Sequence, residues 1–254
     1  MESIFSYSAW NTIWSYRSIF LNGFLNTIKI AAVALIIAMV IGFVLGVVAT
    51  SGRKLMAFVS ALYVEFFQNT PLILQVCFLY YIFAYTGRKV SVVVVGIIGL
   101  GLYHGAYIAE VVRTGILSIA QGQFDAAKAQ GFTQLEAMYY IILPQTLKII
   151  LPPMANQVVS LMKNTSCLYI IGGADLIAAT YNFVTGAETG GAYAPAYILS
   201  GTLFFIICYP LSSLAAKWEK SLKKREPGED AEEKKASFKE SGVVLSLSGE
   251  GGKI

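Results

Sequence analysis

The chain has 254 residues, 56% of them hydrophobic and 13% charged, with a formal net charge of +4. Soluble domains carry about 25% charged residues, so this composition suits a single bundle of membrane spans and excludes an ordinary one- or two-domain soluble protein. One histidine, His104, and three cysteines without paired spacing (Cys77, Cys167 and Cys208) speak against a multi-histidine metal centre, a hydrolase triad, a zinc site or a disulfide framework.

The first apolar run is too long for a cleavable signal peptide and no small-residue cleavage pattern follows it. A helical span needs roughly 20 apolar residues, and Ile30 to Ala49 supplies them, with Lys29 at the outer end able to snorkel to the interface. Gly42 and Gly46 form a small-xxx-small pair, serving either close helix packing or a flexible face toward lipid. Leu55 to Tyr85 is too long for one untilted span and is divided by Glu65-Phe66-Phe67-Gln68-Asn69-Thr70-Pro71. The expectation is an interfacial or half-buried helix over Leu55 to Phe67 and a second span over Thr70 to Tyr85. One helix kinked at Pro71 is the alternative.

The third span is expected over Val90 to Leu117, glycine-rich, with Glu110 and Arg113 three apart on one face and able to pair. The fourth runs over Ile149 to Gly172. Its Pro152, Pro153, Asn156, Lys163 and Asn164 are costly in lipid, which turns it toward the bundle interior. The fifth covers Ala194 to Ala216. The fold class is therefore all-α integral membrane with five transmembrane helices. Arg53, Lys54, Arg113, Lys128, Lys148, Lys217, Lys220, Lys223, Lys224 and Arg225 fall on one side, against Arg17, Lys29, Arg88 and Lys89 on the other. That bias puts the N-terminus outside and the C-terminus in the cytoplasm. Residues 1–20 read as an extracytoplasmic segment, 21–218 as the transmembrane domain with a cytoplasmic loop over about 118–146, and 219–254 as a charged cytoplasmic tail, disordered by composition, in which Val243 to Leu247 is the one apolar stretch.

The loop between spans three and four has its own shape. Gln123 to Gln130 is an alanine-rich helix former, Gly131 stands at a left-handed C-cap position, and Thr133 and Glu136 have capping-box spacing. The second helix is expected to end near Pro144. Local features alone fit either an ordinary capped hairpin or a platform whose small Ala126 and Ala127 admit another protein closely.

Asp125-Ala126-Ala127, three residues, Gly131, nine residues, Ile141, then Leu143-Pro144 resembles the cytoplasmic coupling loop of ABC importer permeases, with aspartate where that family has glutamate. The branch that imports polar amino acids is similar further along the chain. The matching stretches are Asn26-Thr27-Ile28-Lys29, Glu65 to Leu72 (with Gln68-Asn69 in place of the usual Arg-Gly), Gly105 to Arg113, Leu143-Pro144-Gln145, Leu151-Pro152-Pro153 and Lys163-Asn164-Thr165-Ser166. The similarity spans roughly Gly23 to Ala216 and leaves out the tail.

The resemblance implies a permease subunit that is not itself catalytic. The chain holds no Gly-x-x-x-x-Gly-Lys-Ser/Thr loop to cradle ATP, so no cofactor is expected here, and ATP and Mg belong to a partner. The implied partners are two ABC ATPase subunits, a second permease chain (identical or homologous), an extracytoplasmic amino-acid-binding protein and membrane lipid, with no nucleic acid. Asp125, Ala126, Ala127, Gly131, Ile141, Leu143 and Pro144 are the expected ATPase-coupling residues. The expected substrate path is Asn164, Thr165 and Ser166 with Glu65, Asn69 and Thr70. Many relatives, by resemblance, have aspartate where Asn164 stands, so a neutral or acidic amino acid such as glutamine or glutamate is favoured over a cationic one. Asn164 bonding across helices is the plainer alternative. Lys163 either balances a substrate carboxylate or pairs locally, and His104 is expected to be a hydrogen-bonded packing residue. The rival function is an ion-coupled secondary amino acid transporter, which would call for intramembrane acids with a relay and internal repeats.

Overall fold

A computed structural model of the chain describes residues 6–87, 89–186 and 193–223. Arg88, Lys224, Arg225 and most of the 219–254 tail, with its 243–247 stretch, lie outside the described residues. By compactness the chain divides after Ala215, and the described part of the second unit is the last stretch of one helix, with Lys217 and Lys220 exposed.

Helix α1 (Tyr7–Ser15) was not foreseen within the 1–20 segment. Its Ala9 and Ile13 are buried in an apolar cluster with Phe20, Leu176 and Phe183, while Tyr7 and Trp14 face outward. The Arg17 guanidinium lies 5.1 Å from the Trp14 ring centroid, the amphipathic pairing that suits a membrane–water interface. Helix α2 (Arg17–Ala49) starts well before the expected Ile30. The extra turns are held by tertiary bonds: the Asn26 amide donates to the Ala174 carbonyl at 3.1 Å, and the Thr27 hydroxyl accepts from the Leu176 N–H at 3.0 Å.

Helices α3 (Lys54–Gln68) and α4 (Leu72–Tyr85) are separate and bent by 101° at their break. The two-segment expectation holds in place of a single kinked helix. Pro71 has no N–H to continue α3 and disfavours helical backbone in the residue before it. The carbonyls freed at the break must be satisfied internally. The Gln75 amide nitrogen does this, reaching the carbonyls of Phe67 and Thr70, both at 3.1 Å.

Helix α5 (Val92–Leu117) is the central element: over half of its apolar window is buried, 56% against 17% in the last helix. α2 packs along it at Gly42 and Gly46. A Cβ added at Gly46 would sit 2.6 Å from Val112 Cβ and 2.8 Å from the Ala109 carbonyl oxygen, and one at Gly42 would strike Ile108. The glycine pair is therefore a helix–helix seam and not a lipid-facing stretch.

After α6 (Gln121–Ala129) and the one-turn α7 (Gln134–Ala137), the chain widens into a π-turn over Met138–Ile142 and continues directly as α8 (Leu143–Asn164). The expected helix end near Pro144 is thus overturned. Pro144 lies in the first turn of α8, immediately after the π-turn has displaced the i→i−4 ladder, so its missing N–H leaves little to break. A 3-10 turn over Thr165–Ile171 ends at Gly172, whose φ is +76°. Helix α9 (Leu176–Thr185), unforeseen in the sequence, follows at a 41° bend, and α10 (Tyr193–Lys223) completes the described chain. Among the described residues, α2, α5 and α10 are long and apolar enough to cross a membrane alone, and each of the two bent pairs supplies one more crossing if taken as a broken span.

Candidate functional site

The loop after α5 is built from two local motifs. At the end of α6 the Gly131 N–H donates to the Lys128 carbonyl and the Phe132 N–H to the Ala127 carbonyl, each at 3.1 Å. That is a Schellman closure, and it needs the left-handed backbone that Gly131 supplies at φ +85°. Two residues on, Thr133 caps α7. Its N–H and its hydroxyl both donate to the Glu136 carboxylate, at 2.8 and 2.7 Å, and its oxygen accepts from the Glu136 N–H at 3.3 Å. The Thr133 hydroxyl, and after it the Thr133 N–H, hold the Glu136 carboxyl below the usual carboxylate range.

These motifs fix what the loop presents. Asp125 and Ala126 are exposed on α6, with Asp125 accepting from the Gln121 amide at 3.2 Å. Ala127 is buried against the bundle, Ile142 is fully buried, Ile141 and Leu143 are half-buried, and Pro144 is exposed. The expected coupling residues thus divide into an outward group (Asp125, Ala126, Gly131, Pro144) and an anchoring group (Ala127, Ile141, Leu143). Sequence reasoning missed an apolar outward set: Leu135 is 82% exposed, and Tyr139 and Tyr140 stand with it. These side chains give the loop an apolar outward face. The signal was present as Leu135 and Tyr139 at helical spacing after the cap. A cleft of about 480 Å³ opens beside α6, with Thr50, Phe124, Lys128 and Met138 in its lining.

The expected path residues fall into two sets on different elements. In the first, Thr70 donates its hydroxyl to the Phe66 carbonyl and Asn69 its amide to the Glu65 carbonyl, both at 2.8 Å, so they finish α3, while the Glu65 side chain is exposed. In the second, Thr165 is fully buried and bonds the Met162 carbonyl, and Ser166 bonds the Lys163 carbonyl. Asn164 is different. Its amide nitrogen lies 3.1 Å from His104 Nε2, and His104 Nδ1 lies 3.3 Å from Gln157 Oε1. The structure joins Asn164 to α5 through the one histidine of the chain, which is 1% exposed. Tyr103 and Tyr107 pack their rings on that imidazole, centroids 5.3 and 6.3 Å away, and their hydroxyls meet at 3.0 Å.

Gln157 was missed in the sequence. It stands seven residues before Asn164, hence on the same face of α8, and a search for polar groups at two-turn spacing in a membrane helix would have found it. Asp175, also missed, is fully buried and caps α9 by accepting from the Ile177 N–H at 2.9 Å. The Glu110–Arg113 pair forms as expected, bidentate, with 2.6 Å for the shorter contact.

Comparison with known proteins is consistent across three kinds of evidence. Residues 38–220 match the family described as binding-protein-dependent transport system inner membrane component. The chain is 33% identical over 207 residues to the "Probable glutamine ABC transporter permease protein GlnM" of Bacillus subtilis (strain 168), covering 82% of this chain and 94% of that one. It is also 33% identical over 199 residues to the "Probable amino-acid ABC transporter permease protein YckA" of the same organism, covering 78% and 85%. Among solved structures, a chain from the crystal structure of an amino acid ABC transporter with histidines superposes with a TM-score of 0.74 at 28% identity, over 82% of this chain and 96% of that one. An inward-facing MetNI methionine ABC transporter chain, at 19% identity and a TM-score of 0.66 over 80% and 98%, shares the fold.

Proposed function

We propose that this chain, which belongs to the family of binding-protein-dependent transport system inner membrane components, is the permease subunit of an ATP-driven importer of a polar amino acid, with glutamine the favoured substrate. The observation that carries the reading is the loop after α5. Its glycine turn and capping box stiffen a short helix pair whose outward face offers Asp125, Ala126 and the apolar Leu135. A loop of that shape, on a multi-pass membrane protein of this family, is suited to sit in a groove of a cytoplasmic ATPase.

In this reading two ATPase subunits hydrolyse ATP and two permease chains form the path. α2, α3 with α4, α5, α8 with α9, and α10 make five crossings, the N-terminus outside. The exposed Arg53, Lys54, Lys128, Lys148, Lys217 and Lys220 then face the cytoplasm, against Arg17, Lys29 and Lys89 outside, in accord with the positive-inside rule. Closure of the ATPases moves α6, and the π-turn passes that movement into α8, which carries Asn164. ATP acts by shifting the balance between inward- and outward-open states, since only contacts that differ between states can do so. An extracytoplasmic binding protein delivers the amino acid to the outer end. Glutamine is favoured because Asn164 is neutral and because the GlnM relative bears that substrate in its name.

Affinity purification of the tagged chain from native membranes, beside a Gly131→Arg variant, tests this. An ATPase subunit should co-purify with the wild type and be lost with the variant. Retention of the ATPase by the variant, or its absence from the wild type, would sink the docking assignment.

A further inference from the structure

The polar relay across α5 and α8 has a direction. Gln157 Oε1 is a carbonyl oxygen and can only accept, so His104 Nδ1 carries the ring proton and donates to it at 3.3 Å. A neutral imidazole with its proton on Nδ1 has a bare lone pair on Nε2. That lone pair accepts from the Asn164 amide nitrogen at 3.1 Å. The Tyr103 and Tyr107 rings hold the imidazole plane, and burial at 1% exposure keeps water from replacing either bond. The side-chain amide of Asn164 therefore has its nitrogen fixed inward. Its oxygen has no partner among the described residues and is not enclosed.

We propose that His104 is a positioning residue for substrate selection: it holds Asn164 with the nitrogen inward and the oxygen toward the path, so that the path offers an acceptor and prefers a ligand that ends in a hydrogen-bond donor, a side-chain amide, over one that ends in a carboxylate. The proposal rests on the reading of Asn164 as part of the substrate path. It gives the preference for glutamine in that reading a structural cause, the fixed orientation of the Asn164 amide. An acceptor facing a carboxylate leaves two oxygens opposed without a proton between them, whereas an amide N–H satisfies both sides. The state of Gln157 is thereby coupled to selectivity without Gln157 touching the ligand.

Two measurements test it. In the full chain labelled with 15N-histidine in lipid bilayers, the single histidine should give one protonated and one bare nitrogen, with the proton on Nδ1. Gln157→Leu, which removes the acceptor, should release that preference. Second, glutamine and glutamate are titrated onto the purified permease–ATPase complex without its binding protein. The wild type should favour glutamine. His104→Ala and Gln157→Leu should each reduce the glutamine-to-glutamate ratio about three- to tenfold, the range of one neutral hydrogen bond, while the complex still assembles. If His104→Ala does not assemble, Gln157→Leu decides.

A proton on Nε2, a wild-type ratio near one, no binding of either ligand, or a ratio unchanged in both variants overturns the proposal. ATP-dependent uptake of radiolabelled glutamine by the complete importer in proteoliposomes tests the underlying reading separately. If no amino acid is accumulated, that reading falls and the proposal with it. If uptake proceeds but the ratio is unchanged in the variants, the proposal alone falls.

Discussion

Replacing Gly131 by alanine isolates the backbone contribution of the loop. A Cβ at this position meets nothing within 4 Å, so the substitution introduces no clash. What remains is the cost of holding an L-residue at φ +85°, about 1–2 kcal/mol in the left-handed region. Asparagine tolerates that region better, so Gly131→Asn costs less than Gly131→Ala. If α6 is presented to the ATPase only while the turn holds, the alanine penalty passes directly into association. One to two kcal/mol then weakens binding roughly 5- to 30-fold. The assay is titration of a fluorescent ATPase subunit onto the chain in nanodiscs, and the expected affinity order is glycine, asparagine, alanine. Equal affinity for glycine and alanine, or weaker binding for asparagine than for alanine, would refute the premise that a left-handed residue sets the docking geometry.

At the α2–α5 seam, Gly46→Ala drives a methyl group to 2.8 Å from the Ala109 carbonyl oxygen. The backbone cannot yield there, so the expected loss is about 1–3 kcal/mol, read as a lower Tm. Gly201→Ala is the opposite control: its Cβ meets nothing within 4 Å inside α10, and about 0.5–1 kcal/mol of stabilisation follows. Gln75→Leu strands the part-buried carbonyls of Phe67 and Thr70 at the α3–α4 break, a cost of about 1–3 kcal/mol, again visible as a lower Tm; an unchanged Tm would refute the role given to Gln75. Thr133→Ala removes the hydroxyl but keeps the backbone N–H, so it should move the Glu136 carboxyl upward toward the ordinary range, measured by 13C NMR of labelled glutamate side chains. Because the folded carboxyl is held below its unfolded value, the cap is complete above the ordinary carboxylate range and is lost as pH falls through the lowered one. In the wild type, protease resistance of the loop should therefore decline only as pH falls below the ordinary carboxylate range.

Much of this architecture is legible in the sequence because its signals are local or lipid-imposed. The runs over 30–49 and 90–117 are apolar enough to read as spans, and Gly131, Thr133 and Glu136 fix their motifs within six residues of chain. Pro144 misled for the complementary reason. The rule that a proline ends a helix assumes an unbroken i→i−4 ladder, and a π-turn, which has no clear composition signature, removes that assumption over Met138–Ile142. The start of α2 and the existence of α9 depend on Asn26 and Thr27 reaching Ala174 and Leu176, pairings about 150 residues apart that periodicity cannot reveal. The orientation of Asn164 was hidden in the same way, since it is set by His104 on another helix.

The polar side chains first assigned to the path separate on one physical criterion. Wherever a membrane helix breaks, the freed backbone groups must find partners inside the protein, and short polar side chains at the break are the nearest source. Asn69 and Thr70 serve the end of α3 in this way, and Thr165 and Ser166 serve the passage from α8 into the 3-10 turn. In a sequence such residues are indistinguishable from ligand-binding ones, because both are polar groups within an apolar run. In the structure they differ: a ligand that needs the hydroxyl proton of Thr70, Thr165 or Ser166 would have to displace an existing bond, while the hydroxyl oxygens still accept and Asn69 keeps its second amide N–H and its oxygen. The exposed Glu65 carboxylate and the outward oxygen of Asn164 face no such competition. Of the six residues proposed for the path, those two have side chains that make no bond to a helix-end carbonyl. Loss of transport in Glu65→Gln with Tm unchanged, against loss of Tm in Thr70→Val or Thr165→Val, is the pattern this distinction requires.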